Sequence, residues 1–191
     1  MIFISYRHED GYAARALQTA LQTRLAGHVV LRDVTSFTAG DDLRAVISDR
    51  IAKARTVLVV LGRVEPGSRS QSVDPRFLNA SDWIRFEISL ALAWRKDLIP
   101  ILVNGAPMPT RSTLPRDIAG FGDLLAARLR DADWDDDLRD LIHRIDPDAS
   151  PGPDRDPRPP RPTIRDAGPV AGGDVVIRGG FVAGRDLTID E

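Results

Sequence analysis

The chain has no cysteine among its 191 residues, so disulfides, thiolate metal sites and a cysteine nucleophile are excluded together. A reducing compartment is compatible with this, and a cytoplasmic location is the expectation. There is no charge excess either: 26 Lys and Arg against 28 Asp and Glu give a formal net charge of −2. Without a basic surplus to gather phosphates, neither nucleic acid nor an anionic membrane is an expected partner. No apolar run reaches the ~18 residues that a membrane span requires. The opening Met1-Ile2-Phe3-Ile4-Ser5-Tyr6-Arg7 turns polar too soon for a secretory signal. Phosphate loops are missing as well, since neither G-x-G-x-x-G nor G-x-x-x-x-G-K-[ST] follows any strand-like run. There is no G-x-S-x-G elbow, and His8, His28 and His143 lie too far apart for ligand spacing, so neither a hydrolase triad nor a metal is expected. Any chemistry rests on carboxylates, hydroxyls and aromatics.

With 42% hydrophobic residues, the chain can bury a core of ordinary size. Short apolar runs recur at Ile2–Tyr6, His28–Leu31, Thr56–Leu61 and Leu98–Val103, rich in Val, Ile and Leu and without polar alternation. Runs of this kind suit parallel strands covered on both faces. Between them lie helical stripes, Ala13, Leu17, Ala20, Leu21 and Leu25 in the first and Leu43, Val46, Ile47, Ile51 and Ala54 in the second. A third helix starts near the caps Ser81-Asp82, and a last one runs through Trp134, Leu138, Leu141, Ile142 and Ile145. Ala126–Leu129 supplies a fifth strand. This alternation predicts an α/β, doubly wound, five-stranded parallel sheet.

The composition then changes. From Pro147 to Pro169 the chain is Pro, Asp and Arg with almost nothing apolar, which reads as a semi-rigid linker over 147–169. Beyond it, Asp174-Val175-Val176-Ile177 is echoed by Asp186-Leu187-Thr188-Ile189 across a Gly179-Gly180 turn, a short β-hairpin-like tail over 170–191. Two isolated strands are marginal in water, so the tail either stays mobile or pairs with another copy or a protein partner. The polar insertion Gly62–Asn79 is expected to be mobile, and no chemistry attaches to it.

On a wheel at about 100° per residue, the third helix places Arg85, Ser89 and Leu92 on one side and Trp83, Leu90, Ala91 and Trp94 on the other. Glu87 falls within the apolar group. A carboxylate there loses hydration, which raises its pKa and makes the position costly, and costly placement points to function. The structural alternatives are an ion pair with an arginine such as Arg7, or a place at the open edge of the face.

Three segments carry a family resemblance. Ile2-Phe3-Ile4-Ser5-Tyr6-Arg7 with Glu9-Asp10, then Leu31-Arg32-Asp33 with Phe37-Thr38-Ala39-Gly40-Asp41, then Asp82-Trp83-Ile84-Arg85-Phe86-Glu87-Ile88 resemble the bacterial, NAD-cleaving branch of the TIR (Toll/interleukin-1 receptor) domain family. The Leu98–Val103 run, Pro107-Met108-Pro109 and Trp134-Asp135-Asp136-Asp137 follow in the same order, so the resemblance covers residues 1–146 and leaves the tail outside. It implies a flavodoxin-like fold with the site at the C-terminal edge of the strands. It implies NAD⁺ as substrate with no separate cofactor, cleaved at the nicotinamide–ribose bond to ADP-ribose or a cyclised form, in defence signalling.

By this resemblance Glu87, in the W-x-x-x-E pattern with Trp83, holds the ribose hydroxyls and stabilises the oxocarbenium-like charge. Trp83 walls the pocket, Ser5, Tyr6 and Arg7 sit where the first strand ends, and Arg7 meets a phosphate or carboxamide. Asp33 and the loop Phe37–Asp41, with Gly40, form a flap. The residues also admit plainer roles: Trp83 as core, Arg7 paired with Asp10 or Glu9, Asp33 capping a turn. Self-association through TIR–TIR contacts is the expected assembly mode. The rival function is a non-enzymatic TIR scaffold, and a third is a nucleoside-deoxyribosyltransferase-like enzyme acting on free nucleosides.

Overall fold

In a computed structural model of the chain, the residues described are 1–32, 42–63 and 75–149. The expected flap residues Asp33, Phe37 and Gly40, and most of the 147–169 linker together with the 170–191 tail, lie outside them. Five parallel strands form one sheet: β1 (Ile2–Ser5), β2 (Val30–Arg32), β3 (Thr56–Leu61), β4 (Asp97–Val103) and β5 (Ala127–Leu129). Among the described residues, five α-helices connect or flank them: α1 (Gly11–Arg24), α2 (Leu43–Lys53), α3 (Pro75–Leu78), α4 (Trp83–Ala93) and α5 (Trp134–Ile145). The strand order is β2-β1-β3-β4-β5, with Ile4 paired to Leu58 and Leu58 to Ile99 across the centre. This is the flavodoxin-like doubly wound sheet expected from the alternating pattern.

The absence of polar alternation in the strands has a direct cause, since both faces of the sheet are covered. Ile2 and Ile4 point into one cluster with Leu17 and Leu21 of α1 and Leu138, Leu141 and Ile142 of α5. Phe3, Val57 and Val59 point the other way, against Ile47 and Ile51 of α2 and Ile84 and Ile88 of α4. Each fully buried side chain of this size stabilises the fold by about 1.5–3 kcal/mol. Packing against the first cluster continues to Ala149.

The helix boundaries follow from capping. Asp42 caps α2 by accepting from the Arg44 and Ala45 amides at 2.9 and 3.3 Å. Asp82 caps α4 by accepting from the Arg85 amide at 3.0 Å. The α5 helix has Asp135, Asp136 and Asp137 in its first turn and His143 and Arg144 in its last, which complements the helix dipole at both ends. The wheel drawn for α4 needs one correction. Its buried side is Ile84, Glu87, Ile88 and Ala91, while Trp83 and Trp94 are 38% and 42% exposed.

Candidate functional site

In a sheet of this order the chain reverses direction between β1 and β3, and ligands bind in the crevice outside the strand C-termini at that switch point. Ser5 ends β1 there and is wholly buried. Its Oγ has no hydrogen-bond partner among the described residues. Asp10, in the short 3-10 turn after β1, is buried and accepts a hydrogen bond at 3.1 Å from the amide of Gly62, the residue after β3. That bond ties the two sides of the switch point together. Glycine at 62 permits this close approach, because a Cβ there would lie 1.7 Å from Asp10 Oδ1 and push the carboxylate aside.

Parallel topology places the start of α4 at the same edge, since the crossover from β3 to β4 leaves from the β3 C-terminus. Arg7 reaches that start. Its Nη1 and Nη2 donate to Asp82 Oδ2 and Oδ1 at 2.5 and 3.2 Å. The guanidinium also lies 5.5 Å from the ring centroid of Phe77, within cation–π range. The carboxylate that takes both of these hydrogen bonds from Arg7 is Asp82, the cap of α4, a partner the sequence reading did not name. Glu87 lies in the second turn of the same helix with no exposed surface, flanked along the face by Ile84, Ile88 and Ala91.

The other expected contributors sit at the margin. Trp83 packs edge-on against Phe86 with centroids 6.1 Å apart, and Arg44 of α2 lies over both rings at 5.6 and 4.8 Å. Tyr6 turns toward β2, where the Arg32 guanidinium stands 5.8 Å over its ring. Arg32 in turn donates to Gln18, whose amide nitrogen donates to the Val30 carbonyl at 3.1 Å. Thus Arg7 at the end of β1 and the Asp82 cap of α4 are brought together, while Trp83 packs toward α2 and Tyr6 toward β2.

Sequence reasoning missed several residues that hold this edge. Phe77 lies in the insertion expected to be mobile, yet it is 1% exposed, packs with Phe121 at 6.5 Å and closes α3 onto the core. Its apolar neighbour pair Phe77-Leu78 was the available signal. Arg85 donates to both oxygens of Asp117 at 2.9 and 2.8 Å and to the carbonyls of Phe77 and Leu78 at 3.3 and 3.1 Å. Those hydrogen bonds from Arg85 hold the Asp117 carboxyl below its ordinary pKa and raise that of Arg85. Two cavities are lined by other residues. One of about 580 Å³ runs between β4, β5 and α5, and one of about 660 Å³ sits among Thr110, Arg111, Leu114 and Arg116.

A five-stranded 2-1-3-4-5 sheet with a carboxylate-bearing helix at its switch-point edge defines a flavodoxin-like α/β domain. The TIR domain family matches residues 2–142, and the chain belongs to that family. Among solved structures it is similar to the TIR domains of the activated Roq1 resistosome that recognises the pathogen effector XopQ. That match has 14% identity and a TM-score of 0.54, covering 75% of this chain and 98% of that one. It is also similar to a metazoan TIR-STING receptor from C. gigas in complex with 2',3'-cGAMP, at 24% identity and a TM-score of 0.47 over 72% of this chain. The chain spans 38% of that receptor's length. No helix among the described residues is long and apolar enough to cross a membrane.

Proposed function

We propose that this TIR domain is an NAD⁺ glycohydrolase or cyclase that breaks the nicotinamide–ribose bond, with Glu87 as the catalytic residue. The observation that carries the reading is Glu87 itself, a carboxylate with no exposed surface on the core-facing stripe of α4, at the sheet edge where this fold binds ligands. In the reaction, the C1′–N bond breaks and its electron pair leaves with the nicotinamide nitrogen, which becomes neutral. The positive charge passes to the ribose as an oxocarbenium-like centre, and Glu87 stabilises that charge while its oxygens accept from the ribose hydroxyls. Water attacking C1′ and losing a proton gives ADP-ribose, and attack by a ring nitrogen of the same molecule's adenine gives the cyclised product. The Ser5 hydroxyl supplies a polar contact at the end of β1, Tyr6 and Trp83 flank the entrance, and Asp33, Phe37 and Gly40 belong to the covering loop.

Self-association through TIR contacts completes the proposal, consistent with the assembled state named for the Roq1 TIR domains. A cytoplasmic role in defence signalling suits a cysteine-free chain of this family. Incubating the purified full chain with NAD⁺ and separating the products by chromatography tests the reading. Nicotinamide is expected together with ADP-ribose or its cyclic form. Glu87→Gln keeps the shape and loses the charge, and is expected to cut the rate on the order of 10²-fold or more. Full activity in Glu87→Gln overturns the assignment. A wild-type chain that assembles without releasing nicotinamide returns the domain to the scaffold reading, and cleavage of free nucleosides but not of NAD⁺ returns it to the deoxyribosyltransferase-like one.

A further inference from the structure

We infer that Arg7 and Asp82 form a positioning pair that sets the α4 turn carrying Glu87, so that Arg7 acts through Glu87 and not on the substrate. This departs from the role that the family resemblance implied for Arg7. Both terminal nitrogens of the guanidinium are engaged by the two oxygens of Asp82, and the side chains are 11% and 13% exposed. A fork of this kind fixes distance and orientation together, and its planar geometry is one that lysine does not reproduce. The Phe77 ring backs the guanidinium at 5.5 Å. Asp82 does a second task in the same place, accepting from the Arg85 amide at 3.0 Å to cap α4. The end of β1 is thereby joined to the first turn of α4 across 75 residues of sequence. Arg85, held by Asp117 and by the Phe77 and Leu78 carbonyls, braces the same turn as well.

A helix held at its cap has little freedom one turn further in. Releasing the cap lets α4 rotate or slide by a fraction of a turn, and a shift of about 1 Å in a catalytic group costs up to about 10²-fold in rate. The kinetic part of the test rests on the glycohydrolase reading; the spectroscopic part does not.

Asp82→Asn separates the two tasks of Asp82, because asparagine caps a helix as well as aspartate does but lacks the charge that Arg7 meets. In the full chain, Arg7→Met and Asp82→Asn are each expected to lower kcat by about tenfold or more with KM within about twofold, and the double variant to be no worse than the poorer single one. Arg7→Lys is expected to recover only part of the loss. A direct substrate contact gives a different pattern: Arg7→Met raises KM while Asp82→Asn, which leaves the guanidinium in place, does not, and that result overturns the pairing. Independently of turnover, the Glu87 side-chain carboxyl is followed by ¹³C NMR and assigned by its loss in Glu87→Gln. Both variants are expected to displace its titration midpoint in the same direction, whereas removing one positive and one negative charge beside an unmoved helix would displace it in opposite directions. An unmoved midpoint in either overturns the inference. If the wild-type chain releases no nicotinamide, it is the glycohydrolase reading that fails, and the carboxyl titration still decides the role of Arg7.

Discussion

Gly62→Ala probes the switch point without touching any residue proposed to meet the substrate. A Cβ at this position lies 1.7 Å from Asp10 Oδ1 and 2.7 Å from its Cγ, so the carboxylate must leave. The displaced atoms are the end of a rotatable side chain, and the steric overlap therefore relaxes by rotation. Rotation breaks the 3.1 Å hydrogen bond from the Gly62 amide to Asp10 Oδ2. A bond to a charged acceptor is worth about 1.5–3 kcal/mol. Replacing Gly by Ala stiffens the unfolded chain and returns about 0.4–1 kcal/mol. The net is a destabilisation of about 1–2 kcal/mol, which in a chain of this size lowers the thermal midpoint by about 2–8 °C. Urea unfolding followed by circular dichroism measures it. The control is the same substitution in an Asp10→Ala background, where the carboxylate is already gone and the new methyl group has nothing to expel. There Gly62→Ala should cost nothing further. An equal cost in both backgrounds, or a Gly62→Ala protein as stable as wild type, refutes the argument that Asp10 and Gly62 clamp the end of β1 to the end of β3.

Gly122→Ala is expected to be worse tolerated, because its Cβ would meet Arg111 N at 2.4 Å and Thr110 C at 2.7 Å, backbone atoms that cannot rotate aside. A loss of about 1–3 kcal/mol in the same unfolding assay is the expectation. Asp137 makes the fold acid-sensitive. Hydrogen bonds from Arg130, side chain and amide, hold its carboxyl below the ordinary value. With the folded pKa depressed, its contribution is present above the unfolded value of about 3.9 and is lost as pH falls through the folded one. Thermal midpoints should therefore drop on acidification below about pH 4, and Asp137→Asn should flatten that part of the profile. Specific NAD⁺-cleaving activity should rise with protein concentration if TIR–TIR contacts complete the site, and a flat dependence with unchanged sedimentation argues for a self-sufficient monomer.

What the sequence made legible is what local pattern determines. Thr56–Leu61 has the same bounds as a run and as a strand because Thr56 and five consecutive apolar residues form one strand-length block ended by Gly62. Asp82 was readable as a cap from its place before an apolar stripe. Its bond to Arg7 was not, since nothing local links residues 75 positions apart. The α4 wheel erred for a chemical reason. Its centre was drawn toward Trp83 and Trp94, the largest apolar side chains, but Trp83 is satisfied by Phe86 and the Arg44 guanidinium at the domain surface. The packed stripe is rotated toward Ile84 and Ile88. Glu87 lies between the two flanks on the wheel, so it falls on the inward side whichever centre is chosen. Phe77 was hidden because its insertion reads as polar overall, and a single aromatic anchor leaves no periodic trace.

Membership of the TIR family settles the fold and leaves the chemistry to the site, because one fold hosts turnover in some proteins and assembly in others. The two alternatives make different demands on one residue. A scaffold that works by surface contacts is indifferent to what fills the inward stripe of α4, and an isoleucine or leucine at position 87 would continue the row Ile84, Ile88 and Ala91 without desolvating a charge. A catalyst that must stabilise positive charge on a ribose needs an anion held out of bulk water, where its field is strong and its orientation is set before the substrate arrives. The burial of Glu87 on that stripe is the observation on which the proposed glycohydrolase reading rests. Around it, Asp10 spans the switch point to Gly62, and Arg7 and Arg85 both brace the start of α4. These contacts hold the start of α4, and with it position 87, at one edge of the sheet.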